Sequence, residues 1–124
     1  VRLLLDTHIL LWAMLDDPRL GAGARAAMDG AEAIHVSAAS VWEIAIKSAL
    51  GKLEVPEDLL DQALAAGVRP LAISWAHARA VERLPAHHAD PFDRLLIAQA
   101  RQEGMVLVSA DGKFRAYDVE LIAG

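Results

Sequence analysis

An α/β chain, with helices on both faces of a largely parallel sheet, is the fold class this sequence predicts. Three observations point there. Five short apolar runs alternate with stretches of helical spacing, so each strand is followed by a helix and right-handed crossovers pair the strands in parallel. Apolar residues make up 55% of a chain of 124 residues, which suits one domain with a sizeable core and excludes disorder. Carboxylates close the apolar runs or open the helices after them. In a parallel sheet that is the carboxyl edge, where ligands bind.

The elements follow in order. Arg2–Leu5 is continuously apolar after its first residue and reads as a buried strand. Ile9, Leu10, Trp12, Ala13 and Leu15 continue with helical spacing until Asp16, Asp17 and Pro18 break it. Residues 23–29 form a second helix that ends at Gly30, and residues 34–37 the next strand. Trp42, Ala45, Ile46 and Ala49 are spaced for a helix with Gly51 as its stop. Pro56, Glu57 and Asp58 open another helix, running to about Ala66. Residues 71–74 read as the third strand and 76–84 as a helix halted by Pro85. His87 and His88 fall in a loop, and Asp90-Pro91 starts a helix that ends at Glu103-Gly104. Residues 105–109 and 119–122 are the last strands.

Four acids recur at the same kind of place. Asp6 closes the first strand, Glu43 falls in the expected first turn of a helix, Asp93 does the same after Asp90-Pro91, and Asp111 follows the fourth strand. Each has a structural explanation when taken singly. Ser40 through Glu43 matches a capping box, Asp90 is a good N-cap with Asp93 at the third helical position, Asp111-Gly112 is a common turn pair, and Asp6 can cap the helix after it. Together they mean more: like charges gathered at one sheet edge repel unless a cation lies between them. With no cysteine and no histidines at ligand spacing, oxygen donors point to Mg²⁺ or Mn²⁺. Asp6, Asp93 and Asp111 are the expected ligands, and Glu43 binds through water or positions an attacking water. Thr7 and Ser109 add hydroxyl contacts around them, and Asp90 is set aside as the cap.

The other signals are weaker. His87 and His88, next to the acidic helix start, read first as a solvated loop, with orienting a carboxylate or touching substrate as the functional alternative. Lys47 reads as an i,i+4 partner of Glu43, and Trp12, Trp42 and Trp75 as core residues. A net charge of −5 offers no basic footprint for a nucleic acid, although the four clustered acids account for most of it. There is no glycine-rich phosphate loop and no nucleophile elbow. No apolar stretch is long enough to span a bilayer and no signal peptide is evident, so a cytoplasmic setting is expected.

Four segments together resemble a known family. They are Leu3-Leu4-Leu5-Asp6-Thr7-His8, the stretch from Ser37 through Glu43 to Lys47, His88-Ala89-Asp90-Pro91-Phe92-Asp93-Arg94 with the Gln99 that follows, and Val108-Ser109-Ala110-Asp111. In order and separation they resemble a PIN-domain protein, and more narrowly a VapC-type toxin of a type II toxin–antitoxin pair. The resemblance implies a three-layer α/β/α sandwich around a five-stranded parallel sheet in order 3-2-1-4-5. It also implies Mg²⁺-dependent endoribonuclease activity on RNA, a homodimer and a VapB-like antitoxin as partners, and Asp6, Glu43, Asp93 and Asp111 as the acidic set. Ser109 stands where Thr often precedes the last acid, which keeps the hydroxyl.

Two other readings compete. A receiver-type phosphoacceptor domain shares the fold class, but residues 71–74 end without a phosphoacceptor Asp and the fifth strand lacks its Lys. A catalytically silent, partner-binding domain of the same fold would use the apolar surface alone.

Overall fold

The computed structural model describes residues 1–124. Its strands are β1 (Arg2–Leu5), β2 (Ala33–Ser37), β3 (Arg69–Leu71), β4 (Val106–Ser109) and β5 (Leu121–Ala123). The helices are α1 (Thr7–Met14), α2 (Ala22–Gly30), α3 (Ala38–Ala49), α4 (Leu59–Ala65), α5 (Trp75–Ala80) and α6 (Pro91–Glu103), with 3₁₀ turns at Val81–Arg83 and Gly112–Ala116. The sheet order is β3-β2-β1-β4-β5, and every neighbouring pair is parallel. The expected class, strand number and order are all present.

Alternation along β1 explains why two layers of helix are needed. Leu3 and Leu5 point to one face and pack with Ile9, Leu10, Ala24, Ile44 and Leu59 from α1 to α4. Leu4 points to the other face, against Leu96, Ile97 and Ala100 of α6 and Phe114 of the 3₁₀ turn. A strand apolar on both sides is stable only if both sides are covered. β1 lies at the centre of the sheet, and Leu4 and Leu5 are fully buried. Chain reversal between β1 and its two neighbours puts the crevice at the carboxyl ends of β1 and β4, where Asp6 and Asp111 follow.

Several boundaries differ from expectation. The third strand is Arg69–Leu71, not 71–74, because Ser74 instead caps α5 in a reciprocal box with His77. Pro70 disguised that strand, and it is tolerated because β3 lies at the sheet edge. The last strand shifts similarly, from 119–122 to Leu121–Ala123. Helix α3 starts earlier than expected, at Ala38, with the Ser37 hydroxyl accepting the Ala39 N–H at 3.0 Å. Ser40 and Glu43 therefore form no capping box, and Glu43 stands in the second turn. The tryptophans are not core residues either: Trp42 is 60% and Trp75 89% exposed, and Trp12 is half-buried.

Candidate functional site

The ends of β1 and β4 are joined by a chain of hydrogen bonds through Asp6. Its N–H donates to the Val108 carbonyl at 2.9 Å, extending the sheet ladder by one rung. Oδ1 accepts the Thr7 N–H at 2.7 Å, which makes Asp6 the N-cap of α1. Oδ2 accepts the Ser109 hydroxyl at 2.8 Å, and the Asp111 N–H donates to Ser109 Oγ at 3.0 Å. Asp6 is buried, and burial pushes its carboxyl above the usual range against the opposing pull of the Ser109 and Thr7 bonds.

Glu43 reaches the same place from the second turn of α3. Its Oε1 accepts the Thr7 hydroxyl at 2.6 Å and its Oε2 the Lys47 ammonium at 2.9 Å, so the expected i,i+4 pair is present. Asp93 stands at the third position of α6, whose first turn is capped by Asp90: Oδ1 of Asp90 accepts the N–H of Phe92 at 2.8 Å and of Asp93 at 3.3 Å. Asp111 caps the 3₁₀ turn by accepting the Lys113 N–H at 2.9 Å. The capping roles read from sequence thus coexist with the cluster for Asp6, Asp90 and Asp111. A backbone cap occupies one carboxylate oxygen and leaves the other to face a ligand in Asp90 and Asp111, while in Asp6 that second oxygen also accepts the Ser109 hydroxyl and keeps a further lone pair.

All four acids line one pocket of about 510 Å³, together with His8, Trp12, Arg19, Lys47, His88, Asp90, Ala110 and Lys113. Asp93 carries the electrostatic signature of this crowding. Burial, followed by the charges of Asp6, Asp90, Glu43 and Asp111, pushes it up to about 8. A carboxyl surrounded by carboxylates holds its proton until a cation replaces it. The donors suit a hard divalent ion, being carboxylate oxygens with hydroxyls behind them and no thiolate. Asp93 and Asp111 could hold it directly with Asp6, and Glu43 faces the same space.

One tight group joins two of the expected acids to a histidine whose preferred reading from sequence is a solvated loop. One atom from each of His88, Asp93 and Asp111 lies within 4.8 Å of the others. His88 is no solvated loop residue: its side chain is 8% exposed, and Nε2 lies 2.7 Å from Asp93 Oδ2 and 3.5 Å from Asp111 Oδ2. The signals in the sequence were its place beside the acidic helix start, two residues before the capping Asp90, and at the head of the His88–Arg94 motif. His77, by contrast, is a satisfied structural histidine, bonded to Ser74 and 2.9 Å from Glu103. Arg94 turns away from the pocket and donates to the carbonyls of Val81, Leu84, Pro85 and His88, fixing the loop that carries His88. Arg19 lies over the Trp12 ring at 5.2 Å and is forked onto Asp17.

On the far side of α3 a second groove of about 510 Å³ runs toward α4 and β3, lined by Leu10, Val41, Trp42, Leu60, Leu64 and Pro70 among others. It is almost wholly apolar.

The sequence model of the PIN domain matches residues 3–120. The chain belongs to the PIN-domain family. A curated relative of this PIN domain is ribonuclease VapC22 of Mycobacterium tuberculosis, 32% identical over 117 residues that span 92% of this chain and 90% of that one. Among solved structures, VapBC2 of Rickettsia felis bound to a promoter DNA fragment superposes with a TM-score of 0.75 at 16% identity, covering 99% of this chain and 98% of that one. VapC20 of Mycobacterium tuberculosis, a sarcin–ricin-loop-cleaving toxin, gives 0.66 at 19% identity over 98% of this chain and 99% of that one. These structural likenesses concern the fold. With no phosphoacceptor at the end of β3 and the family in hand, the receiver reading falls away.

Proposed function

We propose that this PIN domain is an Mg²⁺- or Mn²⁺-dependent endoribonuclease acting as the toxin of a toxin–antitoxin pair. The observation that carries the reading is the pocket of Asp6, Glu43, Asp93 and Asp111 in which Asp93 is pushed to about 8, in a chain similar to a named VapC ribonuclease. A bound divalent ion supplies water activation and charge neutralisation at a phosphodiester oxygen.

The chain's own residues do the rest. Asp6, Asp93 and Asp111 would hold the ion, with the Ser109 hydroxyl fixing the direction of Asp6. Glu43, steadied by Thr7 and Lys47, would orient the attacking water and accept its proton. Lys47, Arg19 and Lys113 at the rim offer the cations that an RNA backbone needs beside an acidic floor. RNA hydrolysis should require Mg²⁺ or Mn²⁺, stop on chelation and disappear in Asp6→Asn and Asp93→Asn. Full cleavage by folded Asp6→Asn protein would sink the assignment. Expression of wild type against Asp93→Asn, with sequencing of cleaved ends, tests toxicity and identifies the RNA.

The apolar groove beside α3 fits the second half of the reading. Val41, Trp42 and Leu64 are exposed there, and a surface of that kind is covered in a working assembly. A VapB-like antitoxin, as in the VapBC complexes of this fold, and a second copy of the chain are the partners we assign to the protein's apolar surface.

A further inference from the structure

His88 has a buried ring nitrogen with no assigned role. Nε2 has no hydrogen-bond partner of acceptable geometry, although it lies 2.7 Å from an oxygen of Asp93 and 3.5 Å from one of Asp111. The ring cannot drift. The His88 N–H donates to the Tyr117 hydroxyl at 2.8 Å, its carbonyl accepts from Arg94, and the ring meets Phe114 edge-on with centroids 6.0 Å apart.

The other ring nitrogen decides the chemistry. Nδ1 accepts the Asp90 N–H at 3.3 Å. Its lone pair is thereby engaged, so the proton of the neutral ring resides on Nε2. A nitrogen carrying a proton has no lone pair for a metal, so His88 is excluded as a ligand through Nε2 despite its spacing. What remains is an N–H donor beside two carboxyl groups, both of them carboxylates once an ion is bound.

We propose that His88 is a positioning residue: its Nε2–H, held in that tautomer by the Asp90 amide, sets the orientation of Asp93 and Asp111 toward a divalent ion without binding the ion itself. The proposal rests on the metal-site reading of the pocket. Asp90 thereby acquires a second task, since one residue caps α6 with its side chain and fixes the histidine with its amide.

The test uses the full chain and Mg²⁺ or Mn²⁺ alone, without RNA. Nitrogen-15 spectra of the imidazole should show the proton on Nε2 both before and after Mg²⁺ is added. Pulsed EPR of the Mn²⁺ form should show no directly bonded nitrogen. By calorimetry, His88→Ala should weaken Mg²⁺ binding about 10–100-fold, as loss of an outer partner of a ligand typically does. His88→Gln, which keeps an N–H donor, should recover most of it at an unchanged melting temperature. A directly coordinated nitrogen, a proton on Nδ1, or unaltered affinity in folded His88→Ala each overturns the proposal. If the variants do not fold, the wild-type spectra alone decide. Absence of any Mg²⁺ or Mn²⁺ binding by wild type overturns the metal-site reading and this proposal together, whereas nitrogen ligation overturns only the latter.

Discussion

At the scale of single residues, the site turns on how many protons and hydrogen bonds each carboxylate holds. Asp93 is held at about 8 in the folded chain against an ordinary 3.8, so between those values the native state keeps a proton that the unfolded state has lost. Its contribution to stability is therefore complete below about pH 4 and is lost as pH rises through 8. Melting in EDTA should show wild type falling relative to Asp93→Asn between about pH 4 and pH 8, with no further divergence above that; parallel curves would remove Asp93 as the group responsible. The same proton must leave when an ion binds, so Mg²⁺ affinity should increase from about pH 6 to 8, with proton release detectable by calorimetry in buffers of different ionisation enthalpy. Thr7 is the other sensitive point. Thr7→Val removes a donor from the buried Glu43 carboxylate and should destabilise the fold by about 1–3 kcal/mol in urea titration, while lowering cleavage. Asp6, Asp93 and Asp111 could be picked out in the sequence because each follows a strand or opens a helix. The orientation of His88 could not, since nothing local distinguishes a solvated loop histidine from one turned inward by Arg94 and Tyr117.

At the scale of elements, the α3 start shows how a correct signal can be misplaced. Ser37 and Ser40 both precede helical spacing, and Ser40 with Glu43 three residues on matches the capping-box pattern. The chain leaves β2 at Ser37, and there its hydroxyl finds a free N–H; Ser40 is already inside the helix with its hydroxyl buried and unpartnered. Ser37→Ala should cost about 1 kcal/mol by chemical denaturation. Ser40→Ala should be neutral or slightly stabilising, because it removes a polar group that satisfies nothing. The reverse ranking would restore the capping box. The shift also gives Glu43 its place: one turn in, it faces Thr7 and Lys47 and not its own helix end. Gly104 behaves as expected, taking a left-handed φ of 65° at the end of α6, a conformation favourable for glycine.

At the scale of the whole molecule, two apolar surfaces of opposite fate come from the same composition. The alternation of Leu3, Leu4 and Leu5 divides the interior into two cores, each sealed by its own helices. The groove at α3, α4 and β3 stays open, with Trp42 packing edge-on to Phe92 at 5.2 Å and otherwise facing solvent. Leu64→Glu should weaken antitoxin capture in a pull-down with the cognate partner while leaving Mg²⁺ affinity unchanged, since the groove lies across α3 from the acids; undiminished capture would move the docking surface elsewhere.

The sequence by itself determined the element types, the parallel sheet and the acids at its carboxyl edge, because apolar runs, breakers and caps are local signals that alternate strictly along this chain. Only the tertiary structure decided that His88 turns in against Asp93 and Asp111, which serine caps α3 and which tryptophans stay exposed. Those outcomes depend on contacts between segments far apart in the chain. The charge of Asp93 is largely of the same kind, set first by its burial and then by Asp6, the neighbouring Asp90, Glu43 and Asp111.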